Sequence, residues 1–150
     1  MTPTLLGRWQ TRIFLFIFAG SLVTLPFSLG WLQSLIPEAQ PGVIYFWVLF
    51  HIGWLGLLWD ILYNFLQKFR WDRDWPAAFQ LMAGIWEGLF FFVVVKSLPW
   101  LKFIGVSSAE INWLVYLVHY SLVWLAIFTA SQTLMRVLFP RWRFKGGELI

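Results

Sequence analysis

The chain is 150 residues long, enough for one domain, and is 60% hydrophobic, 21% aromatic and only 12% charged. A soluble domain carries about 25% charged and about 45–50% apolar residues, so the surplus apolar surface belongs in lipid rather than in water. The formal charge is +4, and the absence of cysteine excludes disulfides, zinc–thiolate sites, iron–sulfur clusters and a Cys nucleophile.

Thr2 and Pro3 suit a helix start, with Thr2 as cap and Pro3 in the first turn. Arg8 and Arg12 then precede an uncharged run over 13–32. A spanning helix needs roughly 20 apolar residues, so the run qualifies as a first membrane helix. Pro26 is expected to kink or end it, leaving 27–32 as an interfacial turn. A basic start before an apolar run is also the pattern of a signal peptide, with Ser28 and Gly30 as small residues near a cleavage point. The run is read here as a retained helix.

The stretch 33–42, QSLIPEAQPG, has two prolines and a glycine and marks a turn. A second helix is expected over about 43–67, followed by KFRWDRDW at 68–75, the densest charge in the chain. Asp74 can cap a third helix over about 77–98, with Pro76 in its first turn. Residues 100–110 are amphipathic and are expected along the interface, with Lys102 reaching water. Ser107 and Glu110 have capping-box spacing for a fourth helix over about 108–139, which Pro140 stops. A basic tail over 140–150 follows. The fold class is therefore all-α, an integral membrane bundle of four transmembrane helices forming one domain.

With four spans, Arg8, Arg12, Lys68, Arg70, Arg73, Arg136, Arg141, Arg143 and Lys145 fall on one side, and only Lys96 and Lys102 on the other. The positive-inside rule then places both termini in the cytoplasm, for a bacterial inner membrane or an internal membrane. Trp9, Trp71, Trp75 and Trp142 near the inner boundary and Trp31, Trp47, Trp100 and Trp113 near the outer one agree with that placement.

Inside the apolar runs, Gly53, Gly56, Asp60 and Asn64 form one small, polar stripe on helix two, and Gln80, Gly84, Glu87 and Gly88 form another on helix three. Gly20, Thr24 and Ser28 on helix one, and Asn112, His119, Ala126, Ala130 and Thr133 on helix four, supply further packing faces. The stripes of helices two and three are expected to face each other or the bundle interior. Asp60 and Glu87 are expensive residues at membrane depth and mark function by default. One reading is a proton or ion path that also uses Asn64 and Gln80. The simpler reading is a hydrogen-bonded structural pair, because neither stripe offers a third charged partner.

His51 and His119, the only histidines, lie on different helices at matching depth, so axial ligation of haem or chlorophyll is geometrically conceivable. Against it, His51 groups with Trp47 and Trp54, away from the Asp60 stripe, which requires helix two to be covered on two sides. In the 68–75 turn, Lys68, Arg70, Trp71, Arg73 and Trp75 can meet lipid headgroups or a partner, while Asp72 and Asp74 nearly cancel the bases. No phosphate loop, His-x-x-x-His pair or serine elbow is present, and the basic residues hug the boundary, which argues against nucleic acid. The expectation is a non-catalytic membrane subunit or assembly protein in contact with lipid and with other subunits or its own copies.

Overall fold

A computed structural model of the chain describes residues 4–71, 75–98, 103–107 and 109–142. Four helices are long and apolar enough to cross a membrane: α1 (Leu5–Ser28), α2 (Ile44–Gln67), α3 (Ala77–Ser97) and α4 (Trp113–Leu138). No strand occurs among the described residues, only an isolated bridge between Phe103 and Val106. The protein is an all-α integral membrane bundle.

The first helix begins before the uncharged run and close to the start expected at Thr2 and Pro3, two residues that lie outside the described ones. Thr4 is extended and its side chain accepts from the Gly7 amide at 3.1 Å, which caps the helix at Leu5. Both arginines therefore lie within the first helix, Arg8 in its first turn at the bundle end and Arg12 two turns in. At Phe16–Gly20 the helix widens into one π turn, in which the Ser21 amide bonds the Phe16 carbonyl. Arg12 and Thr24 are twelve residues apart, which in a regular α-helix turns them about 120° from each other. The π turn absorbs one residue and brings the two faces back to within about 20°. Pro26 sits in the last two turns without ending the helix, which stops at Ser28. Gly30 follows in the left-handed region (φ 76°), with its amide on the Phe27 carbonyl and the Trp31 amide on the Pro26 carbonyl. This is the six-to-one and five-to-two pattern that closes a helix with glycine.

Helix α1 packs against α2 and α4, and α3 packs against the same two, so α1 and α3 stand diagonally across the bundle. The glycine stripes explain these neighbours: of the two expected arrangements, facing each other or the bundle interior, they take the second. A Cβ at Gly53 would lie 3.1 Å from the Phe16 ring, and one at Gly56 would overlap the Arg12 guanidinium. The stripe of α2 thus receives α1. Gly84 and Gly88 instead leave room for the rings of Trp124 and Tyr120, so the stripe of α3 receives α4. Tyr116 donates to the Gly88 carbonyl at 2.7 Å and Tyr120 to the Gly84 carbonyl, which ties α4 to backbone that the missing side chains expose.

Helix α4 starts at Trp113, with Asn112 accepting from the Leu114 amide at 2.9 Å and from the Val115 amide at 3.4 Å. The expected Ser107–Glu110 box does not start it; Asn112 is its cap and not part of its packing face. The helix breaks at Thr133, whose hydroxyl bonds back to the Thr129 carbonyl at 2.7 Å. Residues 72–74, which include the expected cap Asp74 and also Arg73, lie outside the described residues, as do Lys102 and 143–150 of the basic tail.

Candidate functional site

Arg12 joins the two carboxylates that stand out in the sequence. Its guanidinium donates Nε to Asp60 Oδ2 at 2.7 Å and Nη2 to Asp60 Oδ1 at 3.0 Å. From the same plane, Nη1 donates to Glu87 Oε2 at 2.8 Å and Nη2 to Glu87 Oε1 at 3.1 Å. Each carboxylate is thus held two-fold, as the planar fork of arginine permits and lysine does not. The Asp60 and Glu87 side chains are 5% and 3% exposed and that of Arg12 is 12% exposed, so the centre is shielded. Arg12 bridges the open α1–α3 diagonal, with α2 contributing Asp60 from the side. Asp60 and Glu87 therefore lie at one depth.

This centre corrects the view that the carboxylates lack a third charged partner. The partner lies on neither stripe but on α1, in a segment that reads as a flank when the span is started after the last charge. The clue in the sequence is the Thr4 cap, which puts Arg12 two turns inside the helix. Gln80 was expected near the carboxylates. Its amide instead donates to Ser131 Oγ at 2.9 Å and its carbonyl oxygen accepts from Gln132 at 2.9 Å, fastening α3 to α4. Asn64, one turn beyond Asp60, is half-buried.

The histidines occupy separate surroundings. His119 shares a 3.0 Å hydrogen bond with the fully buried Thr24 hydroxyl, and the rings of Phe27 and Tyr45 lie 4.9 and 5.3 Å away. His51 bonds the Ile104 carbonyl at 2.9 Å through Nε2. A carbonyl only accepts, so Nε2 carries the proton. Phe103 and Trp47 flank the His51 ring at 5.1 and 6.3 Å. The second cover of α2 is therefore the 103–107 turn of this same chain. Gly105 makes that turn with φ 71°, and a Cβ there would overlap the Trp47 ring. Among the described residues no three His, Asp or Glu side chains converge to hold a metal.

A cavity of about 630 Å³ opens at the bundle end that carries the N-terminus. The ion centre lies in its wall with Arg8, Tyr63, Gln80 and Ser131, and Leu15, Phe16, Ile127 and Met135 add apolar groups to the same lining. Arg8 donates to Gln67 Oε1 at 2.7 Å and lies 4.9 Å over the Trp75 ring at the mouth. On the same boundary Arg70 lies 4.8 Å over Phe79, and Trp71 is 94% exposed next to the exposed Lys68. The charged turn thus splits. Trp75 is buried in the bundle and Trp71 projects from it.

No protein-family model matches the chain, and no curated protein or solved structure matches it. The fold and the centre define an all-α membrane bundle with a buried Arg–Asp–Glu triad between three of its helices.

Proposed function

We propose that the chain is a non-catalytic subunit of a larger assembly in a bacterial inner membrane or an internal membrane, with both termini in the cytoplasm. The observation that carries this reading is the triad, in which both interior carboxylates are spent on one guanidinium. Groups fixed by paired, charge-assisted bonds hold helices together and are poorly placed to exchange protons with a substrate.

Two mid-span tryptophans support the subunit role. Trp86 precedes Glu87 and is 53% exposed, and Trp54, also in mid-helix, is 54% exposed. Tryptophan facing a membrane favours the polar boundary, so two at mid-depth fit a protein surface better than acyl chains.

A photo-crosslinking residue placed at Trp86 in the native membrane tests this. The expected product is a discrete conjugate with a second membrane protein or a second copy of this chain. Labelling of lipid alone, with a monomer in mild detergent that shows turnover, would overturn the reading.

A further inference from the structure

The cavity that opens at the N-terminal end, about 630 Å³, has the size of ligand sites in bundles, which measure about 300–1,000 Å³. The space exists because Gly7, Ala77, Ala83 and Ser131 project little into the bundle centre, while a separate void lined by Phe16, Ile52 and Trp124 holds only about 10 Å³. Its occupant must suit a mixed lining, in which Gln80, Ser131 and the triad are polar and Leu15, Ile127 and Met135, each about one helical turn from Arg12 or Ser131, are apolar. Water alone would leave the apolar groups wet, and a purely apolar occupant would desolvate the polar ones.

Charge narrows the choice. Among the described residues, three guanidiniums (Arg8, Arg12 and Arg136) line the cavity against the two carboxylates of Asp60 and Glu87. Arg12 is committed to both carboxylates. The surplus positive charge lies toward the mouth, where the exposed Arg136 donates to the neutral amide oxygen of Gln132. The indole N–H of Trp124, on the inner wall, is buried without an acceptor.

We propose that this cavity binds a monoanionic amphiphile taken from the membrane, with its acidic head at Arg136, in a lining that also holds Arg8, and its apolar body against Leu15, Ile127 and Met135. The site is independent of whether the chain belongs to a larger assembly.

The test uses the full chain in phosphatidylcholine nanodiscs with oleate as probe, read by native mass spectrometry. The wild type is expected to retain one oleate per chain, with acetate and inorganic phosphate at equal concentration failing to displace it. Ala83→Leu and Thr11→Leu fill the cavity from α3 and α1, and each is expected to weaken retention about tenfold. Arg136→Gln should weaken oleate but not oleyl alcohol. Retention unchanged in a folded filling variant overturns the site. Displacement by acetate or phosphate overturns the amphiphile in favour of a free anion, and equal binding of oleyl alcohol overturns the acidic head. A diazirine-bearing fatty acid tests the unmodified chain even if the variants fail to fold. Labels on the wall peptides around Leu15 and Ile127 support the site, and labels confined to lipid-facing residues such as Leu22 and Leu125 overturn it.

Discussion

Arg12 places one positive charge between two negative ones inside an apolar bundle, which makes the stability of the fold depend on all three residues at once. Removing one member of a buried ionic group leaves uncompensated charge and costs about 3–5 kcal/mol, whereas replacing the whole group with apolar residues of similar volume is neutral or stabilising. Arg12→Met is therefore expected to destabilise the bundle by about 3–5 kcal/mol, because two carboxylates remain face to face. The triple variant Arg12→Met, Asp60→Leu, Glu87→Leu should recover most of that loss. Denaturant titration in detergent, followed by circular dichroism, reads both. A triple variant as unstable as the single one would show that the triad does more than neutralise charge. Asp60 and Glu87 were legible in the sequence because a carboxyl within an apolar run is conspicuous. Arg12 was not, because an arginine beside an apolar run looks like a boundary residue, although a helix start at Thr2 and Pro3 already implies what the Thr4 cap shows, that it lies two turns inside.

At the scale of the helices, the stripes of small residues were readable from three- and four-residue spacing, but their partners were not. Gly56 receives Arg12 and Gly84 receives Trp124. Spacing shows which face is small and carries no information about which helix fills it. The π turn at Phe16–Gly20 was equally invisible, since nothing in FIFAG distinguishes it from an α-helical segment. It has a definite consequence, because it sets Thr24 on the same face as Arg12 and so in reach of His119. Ile17 is 59% exposed within that turn. Deleting it should let the segment close into a regular α-helix with Arg12 and Thr24 still aligned, changing stability by about 1 kcal/mol or less. Inserting one alanine after Ile17 should turn Thr24 about 100° off its face and separate it from His119. Thermal unfolding of the two variants in the same detergent tells them apart. Deletion as damaging as insertion would mean that the π turn itself is needed, for example to shape the cavity beside Phe16.

For the whole molecule, four apolar runs separated by turns were enough to reveal the architecture, because lipid demands that every span satisfy its own backbone. Orientation rests on charge that survives the reassignment of Arg12. Among the described residues, Arg8, Lys68, Arg70, Arg136 and Arg141 lie at one end of the bundle, and Lys96 lies toward the other with Glu38 and Glu110. Moving Arg12 from boundary to interior removes one charge from the asymmetry and leaves its sign unchanged. The chain has no cysteine, so single introduced thiols report their side directly. Ser34→Cys and Ser107→Cys, both exposed in turns at one end, should react with a membrane-impermeant maleimide on intact cells. Phe69→Cys and Pro140→Cys, exposed at the other end, should react only after permeabilisation. These positions leave every charged residue in place, so the topogenic signal is not disturbed by the probe. The reverse pattern would put the cavity mouth and its arginines on the outer face, where the proposed amphiphile would have to come from the outer leaflet. Labelling of all four thiols on intact cells would instead mean that the remaining charge difference, without Arg12, is too small to hold one orientation.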